Sequence, residues 1–320
     1  MVSLGSGLVA FPHELEGEVT AKGFRVPGTD FVFSNHTKRL FPEGFTKGDL
    51  GQYYLAVAEH LLPHLLDRPL SMSRYPDGIA GKSFYEKRAP SHTPDWVPRI
   101  PVPSDSMGGI IPYVSARTPA DLLWLAAMAC IEMHPFHTRG DRLDTPDYAI
   151  FDFDPAAGSH WDQVVTGAIG LKSVLDGLGL RGYPKLSGSK GLHVYVPLEP
   201  VHDYRRIRRF VEAVGKLLVA ASPKDFTMEP VIANRTGMIF IDVNRNAYGQ
   251  TVASAYSVRP LAGAPVSAPL GWDEVGSVRN GDVTVANLWA RLERHGDLFA
   301  AVVEGGQVLD EAEQVLGVGE

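Results

Sequence analysis

"YAIFDFDP", residues 148–155, decides how this chain is read. A short apolar run with aromatic and branched residues reads as a buried strand. Side chains alternate along a strand, so Tyr148, Ile150, Asp152 and Asp154 share one face and Ala149, Phe151 and Phe153 share the other. Both carboxylates therefore leave the strand on the same side. Either they mark a solvated strand end, or a positive charge belongs between them.

Downstream, the segments alternate in type. "WDQVVTGAIGLKSVLDGLGL" (161–180) predicts a helix that ends at glycines. "YPKLSGSKGLHVYVPL" (183–198) reads as strand, glycine-rich turn, strand. "DYRRIRRFVEAVGKLLVAASP" (203–223) predicts a helix, "GMIFIDVNRN" (237–246) a strand, and "QTVASAYSVRP" (250–260) another. The order β-α-β-β-α-β is that of a split βαβ unit, a four-stranded sheet covered on one face by two helices. It is expected over about residues 145–260. In such a sheet the strand ending at Asp242 can lie beside the one ending at Asp152 and Asp154, which brings three carboxylates together.

Upstream, about residues 1–140 read as a second α/β module. "TKGDLGQYYLAVAEHLLPHLLDR" (46–68) predicts a helix capped by Thr46 and kinked or ended at Pro63. "PLSMSRYPDG" (69–78) predicts a strand closed by a turn, residues 89–112 a long Pro-, Ser- and Gly-rich connection, and "TPADLLWLAAMACIEMH" (118–134) a second helix carrying Cys130 in the core. The first thirty residues suggest a hairpin. "VTVANLWARLERHGDLFAAVVE" (283–304) is helical, and residues 301–320 form an acidic tail whose last stretch is expected to fray.

Bulk properties set limits on this reading. The chain has 320 residues, 44% of them hydrophobic, enough for a sizeable core. Its net charge of −7 and pI near 5.9 argue against a protein coated in basic charge, though not against a local basic groove. A single cysteine excludes an internal disulfide and a CxxC zinc site, and fits a reducing compartment. No signal-peptide pattern opens the chain, and no run approaches the ~18–20 apolar residues of a membrane span. A cytoplasmic protein is expected.

Clustered carboxylates repel, each close pair by several kcal/mol at an effective dielectric near ~20. Divalent cations reverse that sign, and hard oxygen ligands suit Mg²⁺ or Mn²⁺. Two such ions can hold a triphosphate and activate a hydroxyl. A second element supports this chemistry. "SGSKGLHVYV" (187–196) gathers Ser187, Ser189, Lys190 and His193 around two glycines, where successive N–H groups can form an anion nest. A tight turn with polar decoration would look the same. Arg235, Arg245 and Arg259 flank the strands around Asp242, a composition suited to a triphosphate tail.

Together these motifs resemble the archaeo-eukaryotic primase superfamily, and more narrowly the polymerase domain of bacterial ligase D with its stand-alone actinobacterial relatives. The resemblance spans roughly residues 25–300. It is carried by "NHTKRLFPEGFTKGDLGQYY", "SRYPDG", "FYEKRAP", "IEMHPFH", "FDFDP", "SGSKGLHVYVPL", "DVNRNAYGQT" and "AYSVRPLAGAPVSAPL". It implies an α/β (α+β) primase-polymerase core, in which a split βαβ (RRM-like) module packs against the N-terminal α/β module. Residues 1–300 would form this single catalytic domain.

By that resemblance Asp152, Asp154 and Asp242 bind two catalytic Mn²⁺ or Mg²⁺ ions. Ser187, Lys190, His193 and Arg259 hold the incoming nucleotide, with Arg235 and Arg245 nearby. His134 sits close to the sugar and bears on a preference for ribonucleotides. Arg39 and Lys47 receive a 5′-phosphate across a gap, Arg74 contacts DNA, and Tyr85 stacks on the template. The implied substrates are NTPs or dNTPs and gapped or broken DNA. The implied partners are a separate ligase and an end-binding protein, and the implied location is the nucleoid. The sequence departs from the family pattern at three places. The connection "LFPEGFTKG" is short, Ser73 stands where relatives carry a basic residue, and "SVRPLAG" lacks a second arginine.

Two rivals remain at this stage. One is a haloacid dehalogenase-type phosphatase, whose D-x-D normally follows a domain's first strand. The other is a non-catalytic DNA-end-binding module.

Overall fold

The computed structural model describes residues 19–20, 23–104 and 108–318. The chain divides into two compact units. One comprises Met1–Asp141, Ala253–Ser267 and Gly281–Gly296; the other comprises Arg142–Val252, Ala268–Asn280 and Asp297–Glu320.

The first unit opens with a small antiparallel sheet of β1 (Val19–Thr20), β2 (Gly23–Arg25) and β3 (Val32–Phe33). The hairpin expected in the first thirty residues falls on β1 and β2; residues 1–18 and 21–22 lie outside the described residues. Helix α1 (Lys47–Ala56) starts at Thr46, whose hydroxyl accepts from the Asp49 amide while the Asp49 carboxylate accepts from the Thr46 amide. That reciprocal pair satisfies two of the helix's unpaired donors. The chain breaks at Val57 rather than at Pro63, and Pro63 sits inside α2 (Ala58–Leu65).

A five-stranded antiparallel sheet follows, built from β4 (Leu70–Arg74), β5 (Phe84–Glu86), β6 (Arg99–Ser104), β7 (Gly109–Val114) and β8 (Cys130–Pro135). Two expectations are corrected here. Residues 89–112 are not one long connection, because β6 and β7 pair along their whole length, from Arg99 opposite Val114 to Ser104 opposite Gly109. Pro101 and Pro103 are tolerated because, among the described residues, β6 is an edge strand with no neighbour on its far side. The second helix is also shorter than its sequence suggests. Helix α3 (Pro119–Ala127) ends before Ala129, which takes a left-handed φ of 54°. "CIEMHP" then pairs with β4, so Cys130 and His134 are strand residues.

The second unit holds β9 (Tyr148–Pro155), α4 (Trp161–Gly177), β10 (Tyr183–Leu186), β11 (Leu192–Pro197), α5 (Tyr204–Ala221), β12 (Phe226–Thr227) and β13 (Ile239–Ile241). Its sheet runs β10-β11-β9-β13-β12. Leaving aside the short β12, this is the strand order of the split βαβ unit read from the sequence. Ala149, Phe151 and Phe153 are fully buried. Phe151 meets Phe210 of α5 edge-on, with ring centroids 6.3 Å apart. A Cβ on Gly167 would come within 2.9 Å of the Phe153 ring, so glycine lets α4 lie close on that face. The two helices thus cover the apolar face of β9, and the aspartates occupy the other.

The chain ends in α6 (Leu288–His295) of the first unit, then α7 (Ala300–Glu304) and α8 (Asp310–Leu316) of the second. The expected fraying of the last stretch is corrected over α8, which is an ordered helix. Arg206 of α5 holds Glu313 at 2.6 Å and Asp310 at 3.0 Å, and Glu313 is only 4% exposed. Residues 250–260 form no regular strand; Val258 makes one isolated bridge to Val266. Among the described residues, no helix is long and apolar enough to cross a membrane.

Candidate active site

On the other face of the second sheet, register assembles a polar row from three neighbouring strands and the residue that follows a fourth. Lys185 of β10 pairs with His193 of β11, and His193 pairs with Asp152 of β9. Asp242, just beyond β13, donates its amide to the Asp152 carbonyl at 3.0 Å. Paired residues in adjacent strands project from the same face. Asp152 and Asp242 are therefore neighbours although they are far apart in sequence.

The row is electrostatically tight. His193 Nε2 lies 3.4 Å from Asp152 Oδ1. Arg245 Nε lies 3.3 Å from Asp152 Oδ2 and 3.2 Å from Asp242 Oδ2. A positive group does stand between two of the carboxylates, and it is a side chain of the chain itself. Burial pushes the Asp152 carboxyl up, Arg245 pulls it back, and Asp242 and Asp154 push it up again; it ends raised to about 7. Asp154 is exposed at the mouth of the row. Phe240 pairs with Asp154, and the Arg235 guanidinium lies over the Phe240 ring, 4.1 Å from its centroid.

Asn246 braces the strand from the same side. Its side-chain oxygen accepts from the Ile150 amide at 2.8 Å, and its nitrogen donates to the Ile150 carbonyl at 2.7 Å. The 3₁₀ turn Val243–Asn246 thereby fixes Asp242 and Arg245 against β9. Asp242 also caps that turn, accepting from the Asn244 amide at 3.0 Å.

The Ser187 turn does something other than expected. The amides of Ser189, Lys190 and Gly191 converge at 3.2, 3.2 and 3.0 Å, but on the turn's own Ser187 Oγ. The nest is real and is filled from within. Gly191 is required there: a Cβ would lie 2.1 Å from the Phe153 carbonyl oxygen. Gly188 takes a φ of +72°, which glycine adopts without strain. Lys190 is exposed at the tip, while Ser187 and His193 are buried.

Lys185 was not singled out from the sequence. It is fully buried, with Nζ 2.9 Å from His193 Nδ1 and 5.7 Å from the Tyr195 ring centroid. The only signal for it is a lysine inside a short apolar strand ahead of the turn. Its partner cannot be known until the register is.

The first unit gathers a second polar cluster, on the face shared by β5, β4 and β8. Arg259 Nε donates to Glu132 Oε1 at 2.6 Å, and His134 Nε2 lies 3.6 Å from Glu132 Oε2. Tyr85 meets the His134 ring edge-on at 5.6 Å and is 53% exposed. Glu132 organises this group and was also missed from the sequence. Burial alone would raise its carboxyl, but the His134 hydrogen bond and the Arg259 charge outweigh that and hold it near 2.

The remaining basic residues of this unit differ in availability. Arg39 is exposed. Lys47 is buried: its Nζ donates to the Ala127 carbonyl at the end of α3, at 2.9 Å, and lies over the Phe33 ring. Burial, with help from Lys38 and Arg74, lowers its amine to about 8. Arg74 donates to the Met128 carbonyl at 2.8 Å and grips Glu86 with Nη1 at 2.7 Å.

The donor chemistry of the acid row suits a hard cation, since it consists of carboxylate oxygens. Among the described residues, no three acidic, imidazole or thiol side chains already converge as a cation cage. The carboxylates instead stand around Arg245, whose side chain is 39% exposed.

Residues 46–299 match the family model of the LigD primase-polymerase domain. The multifunctional non-homologous end joining protein LigD of Mycolicibacterium smegmatis is 32% identical over 280 residues, covering 87% of this chain and 36% of that protein. The bifunctional LigD of Bacillus subtilis is 34% identical over 257 residues, covering 79% of this chain and 41% of its own length. This chain thus spans about two fifths of the curated relatives it matches. Among solved structures, the polymerase domain from Mycobacterium tuberculosis ligase D in complex with DNA aligns with a TM-score of 0.80 and 29% identity, covering 87% of this chain and 99% of that one.

Proposed function

Because this chain belongs to the LigD primase-polymerase domain family, we propose that it adds nucleotides to the 3′ end of a DNA primer under the direction of a template. Ribonucleotides are preferred, and the setting is gap filling or the joining of broken ends. The observation that carries this reading is the row Asp242–Asp152–His193 with Arg245, which sets carboxylates for cations next to donors for phosphates.

Two divalent ions, Mn²⁺ or Mg²⁺, would be held by Asp152, Asp154 and Asp242. The fit is supported by the row's present use, since Arg245 already lies in cationic contact with two of these acids. When bound, such ions supply Lewis acidity at the 3′-hydroxyl and the α-phosphate. The chain's own residues bind and orient. Ser187, Lys190, His193, Arg235, Arg245 and Arg259 are assigned to the nucleotide, chiefly its phosphates, and His134 to its sugar. Arg245 would exchange a carboxylate partner for a phosphate one.

Tyr85 is assigned to template stacking, worth about 1–3 kcal/mol per base, and its exposure supports that. Arg39, Lys47 and Arg74 are assigned to DNA, Arg39 and Lys47 to a 5′-phosphate. Lys47 and Arg74 already have partners within the chain, with which a DNA phosphate must share their remaining donors or compete. A separate ligase and an end-binding protein are the partners the proposal calls for.

The test is primer extension across a gapped duplex carrying a 5′-phosphate, with NTPs and dNTPs supplied separately and Mn²⁺ or Mg²⁺ present. Extension directed by the template base, stronger with NTPs, is the expected result. Absence of extension with either metal and either nucleotide class would sink the proposal.

A further inference from the structure

Lys185 is fully buried in a sheet, yet its Nζ approaches His193 Nδ1 at 2.9 Å. An ammonium has three donors and no acceptor. With Lys185 as the ammonium, a contact of this length makes Nδ1 the acceptor and leaves the ring proton on Nε2. That nitrogen is the one turned toward the acid row, 3.4 Å from Asp152 Oδ1. In the opposite tautomer, Nε2 would face the ionised Asp152 carboxylate lone pair to lone pair. The identity of a histidine's donor nitrogen is commonly set by what the other nitrogen touches.

Removing a lysine from water is costly unless its charge is answered. Part of the answer is the Tyr195 ring, 5.7 Å away, through a cation–π contact. Another part is the His193 Nδ1 lone pair, and register holds that contact: Lys185 and His193 are directly paired across β10 and β11, so it is set by backbone hydrogen bonding rather than by a flexible loop. The same register pairs His193 with Asp152.

We propose that Lys185 is a positioning residue that holds His193 as its Nε2–H tautomer, so that the imidazole presents a fixed donor to the incoming nucleotide's phosphates. This rests on the polymerase reading for the identity of the ligand, but not for the tautomer. Lys185 never touches the nucleotide; it acts through His193.

The experiment has two arms. In the first, ¹⁵N-histidine NMR is recorded on the full chain without nucleotide, with His193 assigned by difference against His193→Gln. Wild type is expected to show a proton on Nε2 and a bare, accepting Nδ1. A proton on Nδ1 would overturn the proposal whether or not the protein extends primers, and this arm decides the matter alone if Lys185 variants fail to fold.

In the second arm, Lys185→Met keeps the side-chain length and removes the donor. The expected result is a loss of the single-tautomer signature and a KM for nucleotide raised about tenfold, with kcat changed far less. An unchanged His193 signature, an unchanged KM, or a kcat lowered as much as KM is raised would overturn the proposal. A wild-type protein that extends no primer would contradict the polymerase reading instead, and leave the tautomer arm to judge Lys185.

Discussion

His193 stands directly opposite Asp152 across the β11–β9 pair, its Nε2 3.4 Å from Oδ1. Under the proposed assignment, a phosphate-binding donor and a cation-binding carboxylate are thus neighbours on one sheet face. On the polymerase reading, nucleotide and metal sites share a wall, so a change at either residue alters both.

Asp152 is placed at a cost to the folded chain. Burial, only partly answered by Arg245 and aggravated by Asp242 and Asp154, raises its carboxyl to about 7 from an ordinary 3.8. For an acid whose folded value is raised, the native state binds the extra proton, so stability falls as pH rises between those two values. Asp152→Asn should therefore melt higher than wild type at pH 8, by roughly 1–2 kcal/mol in stability, and show no advantage near pH 4. Thermal unfolding without divalent ions at both pH values checks this. A variant less stable at pH 8 would contradict it.

Glu132 has the opposite sign. Burial raises its carboxyl, but His134 and Arg259 more than offset this and hold it near 2 against an ordinary 4.5. Its contribution is full above the ordinary value and is lost as pH falls through about 2. Glu132→Gln should cost about 2–3 kcal/mol at neutral pH, measured by urea unfolding. It should also raise the KM for nucleotide, because Arg259 loses its 2.6 Å anchor. A variant as stable as wild type would show that the cluster is not organised by this carboxylate.

Arg245 is the internal cation of the acid row. Arg245→Met leaves Asp152 and Asp242 without their shared counter-charge, so the metal-free protein should unfold at lower temperature. Added Mn²⁺ should then raise its melting temperature more than that of wild type, because the ion no longer competes with a guanidinium. Calorimetry with and without Mn²⁺ makes the comparison. Equal Mn²⁺ shifts in the two proteins would remove Arg245 from the site.

Much of the second unit was legible because its signals were local. Alternation in "YAIFDFDP" put both aspartates on one face, and the run of segment types gave the sheet order that brings Asp242 alongside. What failed depended on pairing. "MACIEMH" is rich in helix formers, yet from Cys130 onward it is a strand, because β4 offers an edge and Ala129 turns the chain. The prolines of β6 look like a loop until its position at a sheet edge is known. Lys185 and Glu132 were missed for the same reason. A buried charge is identified by its partner, and His193 and Arg259 become those partners only through register and chain crossing. The Ser187 turn was found, but not that its hydroxyl fills its own nest.

The measurement that bears hardest on the acid row is primer extension on a gapped, 5′-phosphorylated duplex with Mn²⁺ and NTPs. It should compare wild type with the double variant Asp152→Ala, Asp154→Ala, after circular dichroism has shown the variant folded. Template-directed extension by wild type and a loss of about a thousandfold or more in the variant are predicted. A folded variant that extends as well as wild type would contradict the assignment of these carboxylates to the catalytic site.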